Sequence, residues 1–218
     1  MRQWEQDLPD RLRCHPNQLG SKGTIYPPHL FSLHLCFHWL LILLLRPFFK
    51  DEPKPNGPTS SRIASGPNAI IRDLQTTALD ECTLSARQIV KLFSRYRGIY
   101  GLRRTTVTAV QVAYVAGLIH LAKVIAPSDH KSQHTDAAQN VGNCITILEE
   151  IGNTWTSGTV TARLLEDLFD KATNPKGKSK ENSHTLSSMQ TDASTEPPNG
   201  LRYASNLIFK CPKKTYVS

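Results

Sequence analysis

The chain has no cluster of cysteines. Its five, Cys14, Cys36, Cys82, Cys144 and Cys211, are odd in number, and the nearest two lie 22 positions apart. Such dispersal excludes a disulfide framework and points to a reducing compartment. It also excludes a compact thiolate metal site, which needs ligands at short fixed spacings. There is no GxxxxGK phosphate loop, no GxGxxG following a strand and no GxSxG nucleophile elbow. No apolar run reaches the roughly 20 residues of a membrane-spanning helix. The opening MRQWEQDLPDRLR has no apolar core, so no secretory signal is expected. No internal repeat of fixed period is visible.

Basic charge is in excess. Of 218 residues, 26 are Lys or Arg and 18 are Asp or Glu, for a net charge of +8 and a pI of about 9.4. A basic chain favours acidic partners such as nucleic acid or anionic surfaces. Here Lys176, Lys178, Lys180, Lys210, Lys213 and Lys214 crowd the last part of the chain, so solvated lysines in a tail explain the excess more simply. From Thr173 onward large apolar residues nearly vanish, and residues 173–218 are expected to be a disordered polar and basic tail. Leu201 to Phe209 could serve as a docking motif, but an unstructured terminus accounts for it more simply.

Periodicity before the tail is helical. Apolar residues recur at three and four, predicting five main helices over about 29–45, 79–100, 104–125, 136–151 and 155–172. In the first, Leu30, Leu33, Phe37, Leu41, Leu44 and Phe48 form one stripe, while Trp39, Ile42 and Leu43 cover other faces. A helix apolar all round reads as the buried centre of a domain. The second carries Leu79, Cys82, Ala86, Ile89, Phe93, Tyr96 and Tyr100 as a narrow seam, and Gly101 is placed to cap it. The third presents Val107, Val110, Tyr114, Leu118, Leu121 and Ile125, and Pro127 stops it. In the fourth, capped by Thr135, Ala138, Val141, Ile145 and Leu148 face inward. In the fifth, Trp155, Ala162, Leu165 and Phe169 share a face, and Gly158 weakens the first turn by about 1 kcal/mol relative to Ala. Residues 51–78, rich in Pro, Gly and Ser, read as a loop with at most a short helical turn over Ala69–Leu74. Ahead of all this, Trp4, Leu8 and Leu12 fall on one helical face. The fold class is therefore all-α: a partial helical domain over 1–172, an incomplete bundle of about five main helices.

Candidate chemistry is sparse. Asp80–Glu81 and Glu149–Glu150 are adjacent carboxylates, and sequence neighbours on a helix point apart. His34 and His38 share a helix face at i and i+4, with Cys36 between them, but no third ligand lies nearby; they read as core histidines bonded to backbone. Cys14–His15 stands alone. Arg95, Arg97, Arg103 and Arg104 flank a turn and could meet phosphate, yet the solvated end of a helical hairpin accounts for them better. No catalytic, cofactor-binding or metal residue is assigned, and the chain is expected not to be an enzyme. A second reading makes it a small membrane-associated protein anchored by residues 30–49. Against it, a helix from His29 to Leu45 is only about 26 Å long, Pro47 ends it, and two histidines are costly in lipid, so no membrane span is expected.

Longer patterns carry a resemblance. W-x3-L-P-x2-L at Trp4–Leu12 precedes PPHLFSLHLCFHWLLILLLRPFF at 27–49, where Leu33-His34 leads through Leu and Ile to Arg46-Pro47-Phe48-Phe49. Then follow Cys82, Ala86, Ile89, Leu92, Tyr96, the Tyr100-Gly101-Leu102-Arg103 turn, Ala116-Gly117 with His120-Leu121, Cys144, and Ile151-Gly152-x2-Trp155. In this order they resemble the middle homology region of fungal zinc-cluster transcription factors, nearest to the nitrogen-assimilation activators and the xylanolytic-activator-like domain, over about residues 1–172. That resemblance implies an all-helical regulatory region in the nucleus. It would control RNA polymerase II transcription through contacts with other transcription-factor subunits or co-regulators, and homo-oligomers are possible. It implies no cofactor here. Zinc would belong to a separate N-terminal DNA-binding unit, whose six close cysteines this sequence does not contain, so DNA would be met only indirectly. A half-domain of this kind should expose apolar surface.

Overall fold

The structure, a computed structural model, describes residues 2–13, 26–49, 67–126 and 131–174. These form a short α1 (Arg2–Asp7) and five longer helices: α2 (Pro28–Leu45), α3 (Pro67–Tyr100), α4 (Thr108–Ile125), α5 (Lys131–Gly152) and α6 (Thr156–Thr173). Short 3-10 turns occupy Asp10–Leu12, Arg46–Phe49 and Leu102–Arg104. No strand occurs among the described residues, so the all-α expectation holds. The tail from 175, and with it Leu201–Phe209, lies outside the described residues, as do 50–66, Cys14 and His15.

Successive helices run antiparallel. Phe31 of α2 meets Tyr96 and Tyr100 of α3 edge-on, at ring-centroid distances of 5.5 and 6.4 Å. The Tyr100 hydroxyl donates to the Tyr26 carbonyl at 2.8 Å. These contacts fix the start of α2 against the end of α3, at what we call the head of the bundle. Gly101 then reverses the chain at φ 72°, a conformation that costs a residue with a Cβ far more. Its N–H reaches the Arg97 carbonyl at 3.1 Å, as the sequence led one to expect of a C-terminal cap. At the opposite end, the foot, Lys123 near the end of α4 lies 3.4 Å from Asp80 on α3, and the Arg46–Phe49 turn packs on α3.

α4 sits at the centre. It packs against α2, α3, α5 and α6, and 14 of its 18 residues are buried, against 7 of 18 in α2. The expectation that the first long helix is the buried centre is thus corrected. Both helices are apolar all round, so neither sequence has a polar face to reveal which of them is enclosed. The stripe assigned to α2 is corrected too. The buried face is Leu30, Phe31, His34, Leu35, His38, Leu41 and Ile42, while Leu33, Leu44 and Phe48 face outward with Leu40. The α3 seam is as expected: Cys82, Ala86, Ile89, Phe93 and Tyr96 are buried.

Three boundaries move. The loop expected over 51–78 is corrected: α3 begins at Pro67, so its first turns are helical. Ile71, Leu74 and Ala78 continue the spacing of three and four, and the Gly66–Pro67 pair marks the start. α4 starts at Thr108 rather than 104, because the chain spends Leu102–Arg104 in a 3-10 turn. α5 starts at Lys131, which puts Thr135 in its second turn and not at its cap.

Candidate functional site

At the head, one carboxylate gathers three elements. Glu150, late in α5, holds Arg97 of α3 at 2.6 Å through Oε2. Its Oε1 accepts the Leu102 N–H at 3.3 Å. Beside it the Trp155 indole N–H donates to the Thr105 carbonyl at 3.0 Å, and the Thr154 hydroxyl to the Arg103 carbonyl, also at 3.0 Å. The turn after α3 is therefore clamped by the α5–α6 connection. This assigns the arginines of the sequence reading: Arg97 is tied to a carboxylate, and Arg103 and Arg104 are exposed around the clamp. Glu149 is exposed and Glu150 is not, so the adjacent carboxylates do point apart.

On the other side of the same turn is a cavity of about 140 Å³. Its rim has His29, Ser32 and Cys36 from α2 and Arg104, Thr105 and Thr106 from the turn, and Ala109 and Val112 help to form its floor. Arg104 is the one permanent charge among its lining residues. The Tyr96 hydroxyl, which also borders the cavity, donates to the Arg104 carbonyl at 3.3 Å.

The histidines are core residues. A ring nitrogen of His34 lies 2.8 Å from the Leu12 carbonyl, pinning the N-terminal segment to α2. Trp4 of α1 stacks on Phe37 at 4.3 Å and meets His34 edge-on at 6.0 Å. Burial, and then the neighbouring His34, lower the pKa of His38 to about 4. His120 of α4 is likewise lowered to about 4, chiefly by burial; a hydrogen bond to the Ala86 backbone opposes the shift and Arg87 adds to it. Its Nε2 is buried without a hydrogen-bond partner. Burial pushes the Cys82 and Cys144 thiols up to about 12, with Glu81 adding to the effect at Cys82. Both are therefore poor nucleophiles and poor metal ligands. Among the described residues no group of three or more His, Cys, Asp or Glu could hold a metal ion.

Sequence reasoning missed the Glu150 clamp and the cavity. Both join residues some fifty or more positions apart, and no local pattern signals such a pairing. By length and composition alone, two helices, Pro28–Phe48 and Thr108–Ile125, could cross a membrane. Both pack into the core on their buried faces, which also enclose His34, His38 and His120.

What the fold and site define is an all-α domain with a clamped head and a small adjacent cavity. Over 163 residues the chain is 28% identical to the nitrogen assimilation transcription factor nirA of Emericella nidulans. The match covers 75% of this chain and 15% of that protein, so the chain spans a small part of the relative's length. No family model matches the chain, and no solved structure matches it.

Proposed function

We propose that the chain is a regulatory part of a fungal transcription factor of the zinc-cluster class, acting in the nucleus through protein contacts. One observation carries the reading: the match to a transcription factor runs through three quarters of the chain. The same similarity, to a protein that regulates transcription, makes this a non-enzymatic chain. Its partners are other transcription-factor subunits or co-regulators, and its effect falls on RNA polymerase II promoters. Five dispersed cysteines cannot hold two zinc ions between them. Zinc and direct DNA reading therefore belong to sequence other than these 218 residues. The membrane reading of residues 30–49 is not favoured, because the buried face of α2, which includes His34 and His38, is already packed against α3 and α4.

The test is to fuse the whole chain to an unrelated DNA-binding domain in a filamentous fungus and follow a reporter. A severalfold change in transcription, in either direction, with the fusion in the nucleus, supports the proposal. A reporter that stays at the level of the DNA-binding domain alone, under nitrogen-replete and nitrogen-starved growth, overturns it.

A further inference from the structure

We infer that the apolar surface at the foot of the bundle is a docking site for a segment of this same chain, Leu201–Phe209. The surface comes first. Leu40 is 50% exposed, Leu44 58% and Phe48 46%, all on the outward side of α2 and the turn after it. Leu74, 51% exposed, lies on the first turns of α3, at the same end of the molecule. With Leu33 and Phe37, the α2 residues follow spacings of four, three, four and four, the pattern of a seam that receives one more helix or strand. α2 carries no Asp, Glu, Lys or Arg between Pro28 and Leu45, so nothing charged interrupts it. Trp4 of α1 already covers Phe37, and the rest is open.

The size of the patch selects the kind of occupant. Four side chains about half exposed offer on the order of a few hundred Å², enough to mark an interaction site. Independent proteins that pair stably bury roughly 800 Å² each. A tethered segment needs less, because its local concentration is set by the tether and not by the solution.

The course of the chain supplies the tether. α6 runs antiparallel to α5, beginning at the clamped head and ending at the foot with Thr173. The 44 residues after Asn174 therefore leave the bundle at the end where Leu44, Phe48 and Leu74 are exposed. Residues 175–200 can reach up to roughly 90 Å, against a length of about 27 Å for α2, so crossing from α6 past α4 to α2 costs no stretching. Leu201, Tyr203, Leu207, Ile208 and Phe209 are the densest apolar group beyond Thr173. This inference stands or falls independently of the transcriptional reading.

The test uses the full chain with the photoreactive residue p-benzoylphenylalanine in place of Phe48, and separately in place of Leu44. After irradiation the products are sized and digested with trypsin. The expected result is a crosslink within a monomer to the peptide Tyr203–Lys210, from both positions, reduced at least tenfold in Leu207→Asp/Ile208→Asp. The same probe at the exposed Val160 of α6 gives the background. Crosslinks that join two copies would overturn the proposal in favour of self-association. Crosslinks to added phospholipid vesicles that displace the tail would overturn it in favour of a membrane surface. A yield no higher than at Val160, or one indifferent to the tail substitutions, would overturn it outright.

Discussion

Gly158 reverses its meaning between sequence and structure. By propensity it is a weak point in α6. In the fold a Cβ there would lie 2.7 Å from the Gly152 nitrogen, 2.8 Å from the Leu148 carbonyl oxygen and 2.9 Å from the Gly152 Cα. These are backbone atoms that cannot step aside, so the glycine lets α6 start directly against the end of α5. Gly158→Ala should therefore destabilise by about 1–3 kcal/mol, the usual range for overpacking, despite the better helix former. Gly142, inside α5, has nothing within 4 Å of the same hypothetical atom. There Gly142→Ala should stabilise by up to about 1 kcal/mol. Urea denaturation of the two variants checks the pair, and the same sign at both sites would contradict the contact.

At the scale of elements, α2 is the instructive helix. Its sequence is apolar on every face, so its orientation is decided by which side chains fit between α3 and α4. Ile42 is fully buried and Leu44, two residues on, is more than half exposed. Ile42→Ala should cost about 2–5 kcal/mol of stability, through lost burial and the cavity left behind. Leu44→Ala should change the isolated bundle's stability by less than about 0.5 kcal/mol. The sequence reading grouped Leu44 with Leu30 and Leu41 in one stripe and set Ile42 on another face of a helix buried all round, so it gives no such difference between the two. Chemical unfolding of the two variants checks the difference. The histidines at 34 and 38, which lie on the buried face, were the one sequence signal for it: read as core residues, they mark the side that faces inward.

For the whole molecule, the buried histidines set the response to acid. His38 and His120 have folded-state pKa values lowered to about 4, from 6.5. The unfolded chain therefore binds more protons than the folded one between these limits, and stability rises with pH across that window. Their neutral-form contribution is fully present above pH 6.5 and is lost as pH falls toward 4. Because α4 touches every other long helix, charging His120 strains the entire bundle and not one element. Urea unfolding at pH 7.5 and pH 5 should differ by on the order of 3 kcal/mol, with the protein weaker in acid. An unchanged midpoint would mean that water reaches these rings.

The sequence by itself determined that the chain is helical, where most helices run and where they stop. It did so because helix formation answers to local spacing, to proline and to glycine, as at Gly101 and along the seam from Cys82 to Tyr96. It also showed the dispersed cysteines and the absence of a catalytic constellation. Only the tertiary structure decided that α4 and not α2 is central, that Leu44 and Phe48 face out, and that Glu150 clamps the turn after α3. The physical reason is the same in each case. An all-apolar helix has no preferred side until neighbours are packed against it, and a carboxylate finds a guanidinium fifty residues away only once the helices between them have been folded back.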